Sequence, residues 1–137
     1  MSTSAKIGMV LPNGHIKAIS LSWAGRPSKA GATLEESYKS QENVEALLAL
    51  GDLFQLGASL EPARNPKEDE TTIAFGRDWG SVGSDAIIFA DKEEFEKKAK
   101  TQFYADYLYL FENGKWFVKG PGINIWIELA ALIGMMA

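Results

Sequence analysis

Ile7-Gly8-Met9-Val10-Leu11-Pro12-Asn13-Gly14-His15-Ile16-Lys17-Ala18-Ile19-Ser20-Leu21-Ser22-Trp23 is the stretch whose reading decides the fold. Ile7, Met9 and Leu11 alternate ahead of Pro12-Asn13-Gly14, and an Asn-Gly pair supplies the positive φ angles of a tight turn. Beyond the turn, Ile19, Leu21 and Trp23 fall on one face and Ala18, Ser20 and Ser22 on the other, the period of a strand. The stretch predicts a β-hairpin. A second is predicted where residues 107–111 and 115–118 flank Glu112-Asn113-Gly114, with apolar side chains on both faces, as in strands deep within a sheet.

Outward from the first hairpin, Gly25, Pro27 and Gly31 break the run and predict a loop of about six residues. Ser40 is placed to cap a helix bearing Val44, Leu47 and Leu48 and closing at Gly51. Asp52-Leu53-Phe54-Gln55-Leu56-Gly57 reads as a further short turn of helix, and the polar residues 58–70, with Pro62 and Pro66, as a flexible loop. Residues 71–75 read as a strand running into Arg77-Asp78-Trp79-Gly80, and residues 86–90 as another. Asp91 and Glu94 resemble a capping pair opening a helix that buries Phe95, Ala99 and Phe103. The expected class is α+β: a mainly antiparallel sheet built from two Asn-Gly hairpins, with packed helices and an apolar C-terminal helix.

That last element stands apart. Across residues 123–137 the only charge is Glu128, and Ile125, Trp126, Ile127, Leu129, Leu132, Ile133, Met135 and Met136 leave almost no polar face. Asn124 is placed to cap a helix of about a dozen residues, too short to span a bilayer. Such a helix either plugs the domain's own core or covers itself against another copy. The expectation is one domain over residues 1–121 and an apolar segment over 122–137 that packs or oligomerises, with a homo-oligomer favoured.

Composition narrows the function. At 137 residues and 46% hydrophobic, the chain is long enough to bury a real core and does not have the makeup of a disordered segment. Its net charge of −4 argues against duplex nucleic acid, which needs a basic surface. The absence of cysteine excludes disulfides, thiolate zinc and thiol chemistry. His15, the single histidine, sits beside a turn, where an exposed residue is expected rather than a metal ligand. No serine has a nucleophile-elbow context, and Gly76-x-x-x-Gly80 lacks the ending of a phosphate loop. The expectations are no catalytic residue, no metal, no cofactor, no membrane partner, and a cytoplasmic location.

Two polar-aromatic clusters remain: Ser22-Trp23-Ala24-Gly25-Arg26-Pro27 and Gly76-Arg77-Asp78-Trp79-Gly80. Each combines an indole, a guanidinium and a glycine at the exit of a predicted strand, a set suited to holding a base or a phosphate. Each also has a plainer reading: Trp23 ends a core face, Arg77 and Asp78 form a solvated pair, and Trp79 covers a sheet edge. Strand exits gather on one rim of a sheet, so the pair together predicts a shared binding rim of Trp23, Gly25, Arg26, Arg77, Asp78 and Trp79.

Gly14-His15-Ile16-Lys17-Ala18-Ile19, Trp23-Ala24-Gly25-Arg26-Pro27, Leu50-Gly51-Asp52-Leu53, Arg77-Asp78-Trp79-Gly80 and Tyr107-Leu108-Tyr109-Leu110-Phe111-Glu112-Asn113-Gly114-Lys115-Trp116 resemble the blocks of a family of small phage and prophage proteins. That family reads Trp-Asp-Gly-Tyr-Pro and Arg-Asp-Arg-Gly where this chain has Ala24, Arg26 and Trp79. No counterpart is placed from Ile123 onward. The resemblance implies a viral accessory protein acting in the host cytoplasm, of a kind that counters host immunity. The expected function is sequestration of a nucleotide-derived immune signal without cleavage. Trp23 and Trp79 would stack on a base, Arg26 and Arg77 would contact phosphate, and Asp78 would orient Arg77. The alternative is direct inhibition of a host defence protein; a hydrolase or a phage housekeeping factor ranks behind both.

Overall fold

The first hairpin forms strands β1 (Ala5–Val10) and β2 (Ile16–Leu21), paired antiparallel with Ile7 opposite Ile19. The computed structural model describes residues 3–62 and 71–136. The second hairpin forms β6 (Tyr107–Glu112) and β7 (Lys115–Gly120), closed by the pair Glu112–Lys115 around Asn113 (φ 53°) and Gly114 (φ 77°). Both central residues are left-handed, as a two-residue turn between twisted strands requires. The hairpins meet where β1 and β6 run parallel, Ile7 opposite Tyr109.

Four further strands complete the sheet: β3 (Leu53–Gln55), β4 (Ile73–Ala74), β5 (Ile87–Phe89) and β8 (Ile123–Glu128), in the order β4-β3-β2-β1-β6-β7-β8 with β5 also on β2. Most pairings are antiparallel; β1–β6 and β2–β3 are parallel. With five α-helices among the described residues, the class is α+β.

Alternation along the strands sends side chains into two separate cores. Ile7, Met9, Ile19, Leu21, Tyr109 and Phe111 enter one, under α1 (Ala32–Ser37), α2 (Gln41–Ala49) and α5 (Leu129–Met136). Ile16, Ala18, Leu108 and Leu110 enter the other, with Phe89 of β5 and with Phe95 and Ala99 of α4 (Lys92–Thr101). The caps lie where the sequence places them. The Ser40 side chain accepts from the Asn43 amide at 3.1 Å, and Asp91 accepts from Glu94 at 2.8 Å.

Several elements depart from the expectations. Pro27 opens a π-type turn, Pro27–Gly31, that runs straight into α1 where a loop was expected. Proline suits a first helical position because the amide it lacks would have had no intrahelical partner. Leu53-Phe54-Gln55 is a strand rather than a turn of helix, because Leu53 pairs with both Leu21 and Ala74, and that pairing outweighs local preference. Arg77-Asp78-Trp79 lies inside a short helix, α3 (Phe75–Trp79), and not at the end of an extended strand. Phe103 lies beyond the end of α4 and is only half-buried. The C-terminal segment divides: Ile123, Ile125 and Ile127 alternate with polar or amphipathic residues and form β8, and the helix begins only at Leu129. β-branched residues in alternation favour the pleated sheet over a helix capped at Asn124. Of the loop expected over residues 58–70, residues 63–70 lie outside the described part. No helix among the described residues is long and apolar enough to cross a membrane.

Candidate functional site

Leu53 of β3 points into the core, so its neighbour Phe54 points out of the opposite face. On that face Phe54 gathers the two indoles. Trp23 stacks on it with ring centroids 6.4 Å apart and planes at 16°, and Trp79 tilts against it at 5.1 Å. Phe75 closes the group edge-on, 6.2 Å from Phe54 and 5.3 Å from Trp79. The four rings form one platform. Trp23 remains 48% exposed and Trp79 56%.

The backbone holds the platform in place at three points. The Ser22 amide donates to the Leu53 carbonyl at 3.0 Å, Ala24 turns the chain through a left-handed φ of 54°, and Gly80 (φ 69°) ends α3 directly after Trp79. Gly51 lets the 81–86 loop pack closely: a Cβ there would lie 2.3 Å from the Ser84 carbonyl oxygen. Left-handed geometry disfavours an alanine by roughly 1 kcal/mol against glycine. Ala24→Gly is therefore expected to raise stability by about 0.5–1 kcal/mol, read from the urea midpoint, with the platform unchanged.

Two polar members of the predicted rim, Arg77 and Asp78, are already engaged. Arg77 Nε and Nη2 donate to the two carboxylate oxygens of Asp78 at 3.0 Å each, Nη2 also donates to the Thr72 carbonyl at 2.9 Å, and Nη1 donates to the Leu60 carbonyl. Asp78 further accepts from the Ala74 amide at 2.7 Å, and its bond to Arg77 holds its carboxyl below the usual range. Arg77 thus ties the strand exit and the residue 60 region to α3. Gly25 is buried: its amide donates to Thr3 at 2.8 Å, its carbonyl accepts from the Tyr109 hydroxyl at 2.7 Å, and a Cβ would lie 2.9 Å from Ser4 backbone. Arg26 is exposed and makes no ion pair among the described residues. The structure brings Trp23 and Trp79 together and pairs Arg77 with Asp78; Gly25 belongs to the β1 junction.

Lys6, 1% exposed, is a titratable residue the sequence reading missed. Its ammonium lies 3.6 Å from the Phe103 ring centroid and 5.9 Å from that of Phe89. Burial lowers its pKa, and the charge of Asp52 partly offsets this. Asp52 accepts from the Ser20 amide at 2.8 Å, yet burial still raises its carboxyl pKa. At 1% exposure Lys6 is closed off from solvent, and it lines none of the three clefts described here. A lysine with a depressed folded pKa destabilises while charged, and this penalty disappears as pH rises from the folded value through 10.5. Lys6→Met is expected to flatten the rise in stability between pH 7 and pH 11 that the depressed pKa gives the wild type. Denaturant titrations at both pH values check it.

A cleft of about 640 Å3 lies between α4 and the β7–β8 turn. Its charges balance, with Lys97, Lys100 and Lys119 against Glu93, Glu96 and Asp106. Neither it nor the two smaller clefts is lined by Trp23, Arg26, Arg77 or Trp79. Among the described residues no cluster of three or more His, Asp or Glu side chains is placed to hold a metal ion. No family model, no curated protein and no solved structure matches this chain.

Proposed function

We propose that this chain is a phage-type anti-defence protein that acts by binding, and that its aromatic platform docks a host defence protein in the host cytoplasm. The observation that carries the reading is the pairing of two half-exposed indoles, from distant parts of the chain, on one Phe54–Phe75 base. Large aromatic rings on a firm base are the side chains that anchor protein interfaces. A trap for a small polyanion needs enclosure and unengaged cations. The platform residues line none of the three clefts described, and the Arg77 fork is directed to Asp78, Thr72 and Leu60. The likeness to small phage and prophage proteins supports a host defence protein as the partner class.

Capture of a nucleotide-derived signal is the second reading, favoured by the open faces of Trp23 and Trp79 and by Arg26, which is exposed and makes no ion pair among the described residues. Either mode is stoichiometric. Antagonism is expected to saturate when protein sites equal target molecules and to persist in chelator. A trace of protein that abolishes an excess of target would reveal turnover and overturn the binding reading.

A further inference from the structure

A bulge interrupts the pairing of β7 with β8. Val118 lies opposite Ile127 and Gly120 opposite Ile123, so residues 124–126 face Lys119 alone. Bulges re-aim the side chains around them, and here the side chains of Lys119 and Trp126 both meet α4. Lys119, paired across the sheet with Leu108, reaches Glu96 of α4 and forms an ion pair with it. Trp126 stacks on Phe95 of α4 with ring centroids 6.4 Å apart and planes at 9°, and the Lys119 ammonium lies 6.0 Å from the Trp126 centroid. The cleft between α4 and the β7–β8 turn is lined by Lys119 and Glu96, and its volume of about 640 Å3 is that of a small-molecule site.

The formal charges of this cleft balance, but their engagements do not. Two of its carboxylates are already used: Glu96 by Lys119, and Asp106 by the Ser4 amide at 3.0 Å and the Ser4 hydroxyl at 3.4 Å. Lys97 and Lys100, three residues apart on α4 and both exposed, make no ion pair among the described residues. Trp126 Nε1, buried beside Lys119, is a further donor without an acceptor among the described residues, and a buried donor left open calls for one. Against these donors stands Glu93. The surplus is of donors, so the fitting ligand is an anion; Pro121 and Ile123 add an apolar wall for its body. We propose that the cleft binds a small organic oxyanion, its charge held by Lys97 and Lys100 and its apolar body laid against Pro121 and Ile123. The site shares no lining residue with the aromatic platform, so it stands whether or not the platform docks a protein.

Phosphate monoesters and carboxylates share this chemistry, so phenyl phosphate and benzoate are the probes, with phenol as the uncharged body alone. Each is titrated into the full chain and followed by calorimetry and by amide NMR. Saturable binding of at least one anion, millimolar or tighter, is expected, and the tighter of the two identifies the source of the oxyanion. The largest amide shifts should fall on residues 96–100 and 119–124. Lys97→Gln combined with Lys100→Gln should weaken binding by about tenfold or more. The thermal melt should be retained, since both side chains are exposed. No binding of either anion overturns the proposal, as does phenol bound as tightly as the anions. Binding unchanged in the double variant puts the anion elsewhere and overturns it too. Shifts centred on Trp23 and Trp79 would do the same, and would place anion capture on the platform instead.

Discussion

Trp116→Ala is expected to remove about 3–5 kcal/mol of folding stability, a large share of the roughly 5–15 kcal/mol a domain of this size holds. Trp116 is 2% exposed, lies 5.1 Å from Phe111 between ring centroids, and donates its indole N–H to the Tyr38 carbonyl at 2.7 Å. Truncation opens a cavity where β7 meets the helical layer and leaves the carbonyl at the end of α1 without its donor. The urea midpoint should fall sharply with the slope unchanged. A fall under about 1 kcal/mol would mean that this layer closes over the gap or contributes little.

The sequence was most legible where one local rule decided the outcome. Asn113-Gly114 could only be a tight turn, Ser40 and Asp91 carried the oxygens that cap helices, and Tyr107-Leu108-Tyr109-Leu110-Phe111 was apolar on both faces because both faces are covered. It was least legible where a distant partner decided. Nothing local in Asp52-Leu53-Phe54 announces that Leu53 bridges β2 and β4, so the segment looked helical. The consequence reaches the site: in a strand, Phe54 turns away from Leu53 and becomes the ring that joins Trp23 to Trp79. Lys6 was hidden for a related reason, since a lysine in an alternating strand reads as solvated until α4 and Phe103 are known to cover it. At residues 123–128 apolar content masked a period of two, and the isoleucines mark the strand.

Removing both indoles is the second large expectation. Trp23→Ala with Trp79→Ala should weaken binding of the host partner by at least about 100-fold, since interface hot spots lose about 2 kcal/mol or more each on truncation. The rings are half-exposed, so the fold should lose far less than it does with Trp116→Ala. Arg77→Lys serves as the contrast. A lysine cannot reproduce a fork that reaches Asp78, Thr72 and Leu60 together, so its effect should fall on stability around α3 rather than on the exposed faces of the rings.

The central claim, that the platform captures a protein, is tested most directly by incubating the purified chain with extract from host cells, isolating the complex, and identifying everything released by heat. One host defence protein is expected, recovered near one-to-one with the wild type and absent with the Trp23→Ala, Trp79→Ala variant. Release of an intact nucleotide with no protein, or equal recovery of the protein by the variant, would contradict it.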